Sequence, residues 1–435
     1  MNAYWWFRPS RIALLAVMPI TFFAYNASDR FYQQFGAFNA ISTDRFFLAW
    51  LCILAFAAAS WLGEVMVPAV KQPPPPLIRE ANFRVLLFCL ALVAGLATLI
   101  FLAPFLSHPA LVIGVLEGQA GASDTVRLMV DKVPGITSQE NLFSVVIVLF
   151  MIKPKVTGRP RTAGEKAVIA LVLALTAFKV VMHTERLALI ELMVPMGLLA
   201  VATRRSRSIA FALMPVVGVG ALFLYFTGTE YLRSWVSFYS SRSHESLLDF
   251  ALDRMLGYYM TAINNGAYVY GEIHAYYFPI FTATWLWRLP IPGLPELLTA
   301  ISSTKIDYMA LLSGLNVEFN NPSGLFSVLI DFGPFLGVLT WGLLGAISGR
   351  LYRAFVDGRY IGLVLFPTWY VGVLEIPRIF YWGDARYFPP LIISCLIVLI
   401  FSSAMPDATQ QQRRRVGPPR PLRQASEREI WPNAR

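Results

Sequence analysis

The sequence predicts an all-α polytopic integral membrane protein with about ten transmembrane helices and one long outer loop. Of its 435 residues, 56% are hydrophobic and only 14% are charged, and the mean hydropathy is +0.56. A soluble chain of this length can bury a core with less apolar surface, so the excess indicates contact with lipid. Apolar runs close to the roughly 20 residues of a bilayer crossing recur along the chain. The basic residues concentrate in alternate connections between these runs.

Ten segments carry the apolar runs, and a helix is predicted in each. They are residues 12–25, 46–70, 85–106, 138–152, 167–182, 187–202, 209–227, 325–348, 361–375 and 389–403. The prolines after Lys71 favour an extended linker, and the Arg-, Pro- and Gln-rich tail 405–435 is expected to be a disordered, basic cytoplasmic segment. The chain therefore divides into helices 1–7 (1–228), a large periplasmic loop with short helices (229–324), helices 8–10 (325–404) and the tail.

The charge distribution predicts that both termini lie in the cytoplasm, with the chain in a bacterial inner membrane. If the ten segments alternate across the bilayer, most lysines and arginines fall on one face, as the positive-inside rule requires. These residues are Lys71, Arg79, Arg84, Lys153, Lys155, Arg159, Arg161, Lys166, Arg204, Arg205, Arg207, Arg350, Arg353, Arg359 and the seven arginines of the tail. The net charge of +10 therefore indicates membrane orientation, and no nucleic-acid partner is expected.

The sequence has no pattern typical of a metal or cofactor site. Cys52, Cys89 and Cys395 lie inside apolar runs, where cysteine usually behaves as a small buried hydrophobe. A Walker loop and a Gly-x-Ser-x-Gly turn are both missing, and no His or Asp cluster has metal-ligand spacing. No metal and no cofactor are expected, and nucleotide-driven transport and hydrolysis are disfavoured.

The turn between segments 167–182 and 187–202 places charged side chains at the outer mouth of the bundle. Lys179 and Glu191 should lie at the same depth, so a structural ion pair between them is one interpretation and a functional role is the other. Arg186 is a permanent cation whose planar guanidinium suits a bidentate hold on phosphate. We expect Arg186 to be catalytic, by holding a lipid-linked diphosphate.

Further arginines of the outer segments could bind the same anion, although each could equally be a snorkelling or salt-bridged side chain. The candidates are Arg242, Arg254, Arg378 and Arg386. Positive charge on the outer face opposes the insertion bias, which favours a binding role for some of these residues.

Two stretches of the large loop predict structure rather than plain linker. Residues 246–265 have helical apolar spacing. Residues 268–287 are rich in aromatic side chains, which suits either a membrane–water boundary or a surface that stacks on sugar rings. Deprotonation of a sugar hydroxyl would need an acid or a histidine within hydrogen-bond reach. The sequence does not choose among Glu245, Asp249, Asp253, Glu272, Glu318, His244 and His274, of which Glu272 and His274 are placed first as catalytic candidates.

The most informative stretch is residues 316–337, NVEFNNPSGLFSVLIDFGPFLG. Asp331 lies about two helical turns inside the eighth apolar segment and is followed by the helix-weakening Gly333. A carboxylate at that depth is costly without a partner and is therefore a catalytic candidate. We expect Asp331 to pair with an outer arginine, Arg186 or Arg378.

This stretch resembles the Wzy-type oligosaccharide repeat-unit polymerases of O-antigen and exopolysaccharide synthesis. The resemblance depends on Asn320, Asn321, Ser323, Gly324, Asp331, Phe332, Gly333 and Gly337, with weaker matches at Val133-Pro134-Gly135, Arg186, Tyr258-Tyr259 and Asn264-Asn265. Ser323 stands where the family more often has threonine, and the hairpin reads Thr-Glu-Arg where Gly-Ser-Arg is commoner.

The resemblance implies a GT-C-like fold and an inverting, metal-independent glycosyl transfer. A growing glycan on undecaprenyl diphosphate would move onto a lipid-linked repeat unit at the periplasmic face, beside a chain-length-determining co-polymerase. Substrate would be bound by the candidate arginines together with Tyr258, Tyr259, Asn264, Asn265, Asn320, Asn321 and Ser323. An O-antigen ligase is the nearest alternative, and a polysaccharide flippase or a non-catalytic scaffold are alternatives of other classes. A transporter should have polar residues near mid-bilayer and often related halves, and neither is evident.

Overall fold

The structure of the chain is a computed structural model that describes residues 4–68, 78–117, 119, 122–130, 133, 135–183, 185–204, 208–231, 235, 246–273, 279–301, 311 and 319–403. These residues form helices and their connections, and no β-strand occurs among them. The predicted site residues Arg242 and His274 and the predicted tail 405–435 lie outside this set.

Helices occupy all ten segments in which the sequence predicts them. In chain order the helices are α1 (Pro9–Ile12), α2 (Met18–Asn26), α3 (Asp29–Gln33), α4 (Thr43–Met66), α5 (Glu80–Ser107), α6 (Ala110–Leu116), α7 (Ala122–Met129), α8 (Phe143–Thr157), α9 (Ala163–Met182), α10 (Arg186–Ala202), α11 (Ile209–Ala212), α12 (Met214–Glu230), α13 (Leu247–Glu272), α14 (Leu294–Ile301), α15 (Gly324–Val356), α16 (Tyr360–Glu375) and α17 (Phe388–Ser403). The segment 209–227 is divided between α11 and α12. A π-helical segment, Ala13–Val17, joins α1 to α2.

Among the residues that the structure describes, three helices, α4, α5 and α15, are long and apolar enough to cross a membrane. Large apolar side chains on these helices are exposed, including Leu92 of α5 and Leu343 of α15. Exposed leucines on a long apolar helix are the surface that lipid would cover. The fold is therefore consistent with a helical membrane protein.

The tightest helix pair is α4 against α15, and glycines make the approach possible. A Cβ atom at Gly345 would overlap the backbone of Phe56, and one at Gly349 would overlap the carbonyl oxygen of Ser60. Small residues four apart allow two helix backbones to come close, which is the main source of packing energy between helices in lipid. This pair forms the centre on which α1 and α16 also pack.

Helix α15 is broken where the sequence has Asp331-Phe332-Gly333-Pro334. Gly333 has φ +74° and ψ 179°, a backbone conformation that side chains with a Cβ rarely adopt. Pro334 follows and cannot continue the hydrogen-bond ladder of the preceding turn. The Asp-Phe-Gly stretch is therefore a kink that separates the first turns of α15 from its long second half.

The helix predicted over residues 246–265 is present as α13, but it extends to Glu272 and covers 26 residues. The expectation of short helices is therefore wrong for this part of the large loop. Ser246 caps the helix by accepting a hydrogen bond from the backbone N–H of Asp249 at 3.2 Å. Residues 260–267 are buried against α2 and α15. The loop thus contributes a helix to the core of the bundle.

A buried ion network lies where α8 ends and α9 begins, beside the turn that connects the two helices. The ammonium group of Lys153, with no exposed surface, is 2.6 Å from Glu165 Oε1 and 3.0 Å from Glu80 Oε1. Glu165 and Thr162 also form the capping box of α9. Lys179 lies on the same helix, 14 residues from Glu165, which corresponds to about 21 Å of helix. Charged groups thus occupy both ends of α9 and apolar side chains its middle.

Candidate functional site

Three arginines surround Tyr258 of α13 at the end of the bundle where α10 begins. The guanidinium carbon of Arg186 lies 5.5 Å from the centre of the Tyr258 ring, and that of Arg378 lies 5.2 Å from it. Arg254 lies 5.1 Å from the ring of Phe319, which in turn packs against Tyr258. The sequence predicts each of these arginines and Tyr258 as site residues, and the structure brings them into one group. We call Arg186, Arg254, Arg378, Tyr258, Glu230 and Glu375 the arginine cluster.

Arg186 and Arg254 share one buried carboxylate, that of Glu230 at the end of α12. Glu230 is 1% exposed; its Oε1 contacts Arg186 Nη2, and its Oε2 lies 2.8 Å from Arg254 Nε. Arg186 also lies 3.8 Å above the ring of Phe226, one turn earlier on α12. The flat face of the guanidinium therefore rests on an aromatic ring, while its N–H edge donates to the Glu230 carboxylate and to the Thr229 hydroxyl.

Arg378 is held in the same way by Glu375 and by Tyr258. Its Nε donates to Glu375 Oε2 at 2.6 Å, and its Nη1 donates to the Tyr258 hydroxyl at 3.1 Å. Burial alone would raise the pKa of the Tyr258 phenol, but the positive charges of Arg378 and Arg186 outweigh burial and lower the pKa from its usual value. The positive field of the cluster therefore favours negative charge at the position of Tyr258.

Arg386 belongs to a second network, which begins one residue from Arg186. The guanidinium of Arg386 contacts Glu185 and lies 3.0 Å from Glu191 Oε2, while the Tyr381 hydroxyl donates to Glu191 Oε1 at 2.9 Å. Glu185 Oε2 is in turn 2.7 Å from Lys179 Nζ, and Lys179 also contacts Glu140. We call Glu140, Lys179, Glu185, Glu191 and Arg386 the glutamate–lysine network.

The direct Lys179–Glu191 ion pair considered from the sequence is therefore wrong. Both residues belong to the same network, but Lys179 contacts Glu140 and Glu185, and Glu191 contacts Arg386. Glu140 lies in a 3-10 turn, Thr137–Leu142, which packs closely against α5, and this places its carboxylate next to α9.

The expectation that Asp331 pairs with Arg186 or Arg378 is also wrong. Its carboxylate accepts hydrogen bonds from the backbone N–H groups of Phe281 at 3.3 Å and Thr282 at 2.7 Å, and from the Thr282 hydroxyl at 2.6 Å. Asp331 is 2% exposed. A buried carboxylate can be satisfied by backbone donors as well as by a cation, and here it ties residues 279–285 to the kink of α15.

The aromatic stretch 268–287 packs partly against the helices. Trp285 stacks on Phe388 at the start of α17, with ring centres 4.0 Å apart, and Tyr270 packs against Phe326 of α15. The Thr284 hydroxyl donates to the carbonyl oxygen of Gly383 at 2.9 Å. These contacts fix the segment that Asp331 holds beside the connection from α16 to α17.

The predicted asparagines and Ser323 position the backbone around the arginine cluster. Asn264 bridges the chain at residues 38–40, where its Nδ2 donates to the Phe38 carbonyl at 2.7 Å and its Oδ1 accepts from Ala40 N at 2.7 Å. Asn265 Nδ2 donates to the carbonyl oxygen of Phe319. Ser323, at φ +58°, caps α15 by accepting from Leu325 N at 3.2 Å. Asn320 and Asn321 lie half-buried between Phe319 and this cap.

The remaining predicted residues differ in their positions. Tyr259 follows Tyr258 on α13, and burial raises the pKa of its phenol above its usual value. Glu272 is exposed at the last position of α13, fourteen residues after Tyr258. Fourteen helical residues span about 21 Å, so Glu272 is distant from the arginine cluster along the helix.

Sequence reasoning missed the carboxylates that hold the arginines, namely Glu230, Glu375 and Glu185. Glu230 and Glu375 are the last residues of two apolar helices, α12 and α16. A charged residue at the end of an apolar run is a recognisable signal, since its desolvation needs a partner. Pairing them with Arg186, Arg254 and Arg378 requires the tertiary structure.

Comparison with known proteins gave no relatives: no protein-family model, curated protein or solved structure matches the chain.

Proposed function

We propose that this chain polymerises undecaprenyl-diphosphate-linked oligosaccharide repeat units at the periplasmic face of a bacterial inner membrane. The observation that carries the proposal is the arginine cluster, in which three arginines from α10, α13 and the connection after α16 meet around Tyr258. Among the described residues of the cluster the arginines outnumber the carboxylates by one. A diphosphate, which is polyanionic and takes bidentate hydrogen bonds, suits such a group.

In the proposed reaction the acceptor hydroxyl oxygen forms a bond to the anomeric carbon of the donor glycan, with inversion. The bond between that carbon and the diphosphate oxygen breaks, and its electron pair leaves with undecaprenyl diphosphate. The acceptor proton passes to a carboxylate or histidine base within hydrogen-bond reach of the acceptor. Glu272, about 21 Å along α13 from Tyr258, is too far from the arginine cluster for this role. Arg186, Arg254 and Arg378 stabilise the charge on the departing diphosphate, the contribution that usually dominates in transfers of this kind.

Glu230 has a defined place in this scheme. Its carboxylate accepts a hydrogen bond from Arg186 Nη2 and forms an ion pair with Arg254, and it is almost completely buried. An incoming diphosphate would compete with Glu230 for these donors. Glu230 therefore sets how tightly the cluster retains the diphosphate product.

Asp331 acts in this proposal through the protein rather than on the substrate. Three hydrogen bonds from Phe281 and Thr282 satisfy its carboxylate, which favours a positioning role over proton transfer. We further propose the remaining features that the sequence predicts: about ten spans, a GT-C-like arrangement, cytoplasmic termini and a chain-length-determining co-polymerase as partner.

The experiment is the surface-glycan ladder of a strain that lacks the gene, complemented with the wild type, Arg186→Ala, Arg186→Lys or Arg350→Ala. Arg350 is exposed near the far end of α15 and serves as the matched control. Deletion should leave glycans of a single repeat. Wild type and Arg350→Ala should restore the ladder, Arg186→Ala should not, and Arg186→Lys should restore little of it because lysine lacks the planar fork.

Protein level in the membrane is measured for each variant in parallel. Normal ladders from Arg186→Ala at wild-type protein level would contradict the role of the arginine cluster. Loss of surface glycan with accumulation of lipid-linked polymer in the deletion strain would replace polymerisation with ligation. Accumulation of unpolymerised repeat units on the cytoplasmic face would instead favour a flippase.

A further inference from the structure

The glutamate–lysine network has more acids than bases among the residues that the structure describes. Glu140, Glu185 and Glu191 face two cations, Lys179 and Arg386. Glu185 is shared by both cations, whereas Glu140 contacts Lys179 and Glu191 contacts Arg386. A buried carboxylate needs full compensation, since its desolvation costs more than one shared ion pair returns. Within the described residues of this network, one negative charge therefore has no matching positive charge, and the excess cation described elsewhere belongs to the arginine cluster.

A small cavity of about 30 Å³ lies between the two outer carboxylates of this network. Its polar lining comes from five neighbouring elements. Thr98 belongs to α5, Glu140 and Asn141 to the 3-10 turn, Ser144 to the start of α8, Thr176 to α9 and Glu191 to α10. Lys179 also borders it. A buried water needs roughly 10–15 Å³ of such space, so the cavity has room for about two water-sized occupants.

The hydroxyl of Thr176 gives independent reason to expect an occupant. Thr176 is 7% exposed and lines the cavity, and its Oγ1 has no hydrogen-bond partner among the residues that the structure describes. By contrast, the hydroxyls of Thr98 and Ser144 donate to the carbonyl oxygens of Ala94 and Asn141, both at 2.8 Å. These two oxygens keep free lone pairs toward an occupant, because each hydroxyl donates its only proton elsewhere. Buried polar groups are rarely left unpaired, so a partner for the Thr176 hydroxyl is expected in the cavity.

We propose that this cavity binds one monovalent metal cation, Na⁺, through Glu140, Glu191 and the hydroxyl oxygen of Thr176. Oxygen ligands suit a hard cation. A single positive charge balances the network, whereas a divalent ion would exceed it next to the Lys179 ammonium. The described residues also hold no group of three or more acidic, His or Cys side chains placed for a metal ion, so the site depends on two carboxylates and neutral oxygens. A water molecule would satisfy Thr176 but would leave the charge unbalanced.

This site is separate from the arginine cluster and does not depend on glycosyl transfer. The two are joined at adjacent residues, since Glu185 belongs to the network and Arg186 to the cluster. Na⁺ would fix the relative position of α8, α9 and α10, the helix that begins at Arg186. Its effect should therefore be visible in the stability of the protein, with no substrate present.

The test is thermal unfolding of the purified full chain in detergent at pH 7.5, with NaCl exchanged for choline chloride at constant ionic strength. Ligand binding to the folded state raises the midpoint with a saturable concentration dependence. We expect such a rise for Na⁺ in the wild type and in Thr176→Ser, which keeps the hydroxyl. Thr176→Val and Glu140→Gln should weaken the apparent Na⁺ affinity at least tenfold.

Thr21→Val is the matched control. Thr21 is also buried, but it lies on α2 and its hydroxyl donates to the carbonyl oxygen of Val17 at 2.9 Å. This variant should keep the full Na⁺ response. If Glu140→Gln fails to fold, the comparison of Thr176→Val with Thr176→Ser decides the question.

Three results would overturn the proposal. Equal unfolding midpoints in NaCl and choline chloride would show that the cavity holds water only. An unchanged Na⁺ response in Thr176→Val would place the ion elsewhere. Stabilisation at pH 5 in choline chloride to the same extent, with no further effect of Na⁺, would show that a proton balances the network instead.

Discussion

At the scale of single residues, the position of Glu230 between Arg186 and Arg254 leads to the sharpest prediction. Replacing Glu230 by Gln removes the charge that competes with an incoming anion while it keeps the size of the side chain. We expect Glu230→Gln to bind inorganic pyrophosphate at least tenfold more tightly, a change of about 1.4 kcal/mol. Isothermal titration of the purified protein in detergent measures this affinity.

The control for this prediction is Glu64→Gln, because Glu64 pairs with Arg8 at 3.2 Å outside the arginine cluster. Its pyrophosphate affinity should equal that of the wild type. Glu230→Asp retains the charge and should remain close to the wild type as well. Equal affinities for wild type and Glu230→Gln would contradict the competition between Glu230 and a diphosphate.

A second residue-scale prediction concerns the carboxylate of Asp331 and its donor Thr282. The Thr282 hydroxyl donates to the Asp331 carboxylate, and Asp331→Asn and Thr282→Val each weaken or remove this hydrogen bond. Their effects on the free energy of unfolding should therefore not add. We expect a coupling of about 1.5–3 kcal/mol in a double-mutant cycle, the range found for hydrogen bonds to charged groups. Unfolding in mixed micelles supplies the four free energies, and strictly additive losses would argue against the contact.

These residues also mark what the sequence could and could not predict about the site. Arg186, Arg254 and Arg378 are found because permanent cations on the predicted outer face are costly and therefore noticeable. The sequence does not reveal the partner of Asp331, because the donors are backbone N–H groups about fifty residues earlier in the chain. Every residue except proline has such a group, so no residue type points to it. The structure alone shows that a loop segment, rather than an arginine, satisfies that carboxylate.

At the scale of elements, the packing of α4 on α15 predicts that the loss of stability on replacing a glycine of α15 depends strongly on its position in the helix. Gly349→Val should destabilise the protein by at least about 2 kcal/mol, because any Cβ there overlaps the backbone of Ser60. Gly342→Val is the matched control on the same helix, since a Cβ at Gly342 has no neighbour within 4 Å. Thermal unfolding in detergent compares the two variants. Similar losses at both positions would contradict close packing at Gly349.

The Lys153–Glu165 pair at the start of α9 predicts a dependence of stability on pH. Burial disfavours the charged form of Glu165, but hydrogen bonds from Lys153 and the backbone of Thr162 outweigh burial and lower the pKa of the carboxyl. A lowered folded-state pKa contributes stability that is complete above the ordinary value near 4.3 and is lost as the pH falls below it.

Unfolding midpoints measured between pH 7 and pH 3 test this dependence. The wild type should lose stability below about pH 4.3, and Glu165→Gln should be less stable at pH 7 but flatter below that pH. Parallel curves for the two proteins would show that another group is responsible for the loss at low pH.

Helix boundaries illustrate a similar limit of the sequence. Apolar periodicity finds α13 but ends it early, since the residues after Asn265 include glycines and tyrosines that give little helical signal. Burial against α15 extends the helix to Glu272, as tertiary packing often overrides local preference. The kink in α15 is partly visible in advance, because Gly333 and Pro334 both interrupt helices.

At the scale of the whole molecule, the alternation of basic segments predicts a topology that reporter fusions can check. A fluorescent protein joined after Gly158, between α8 and α9, should fluoresce, because that turn is expected in the cytoplasm. Alkaline phosphatase joined after Ile291 should be active, because that residue is expected in the periplasm. Fusions at the two sites that report the same compartment would contradict the ten-span topology.

The proposed polymerase activity is tested most directly with the purified chain in liposomes. The substrate is an undecaprenyl-diphosphate-linked repeat unit, supplied without nucleotide and in the presence of a metal chelator. We expect glycans of two or more repeats attached to lipid, together with release of undecaprenyl diphosphate, and neither product with Arg186→Ala. Substrate that remains a single repeat in the presence of folded wild-type protein would contradict the claim that this chain is a polymerase.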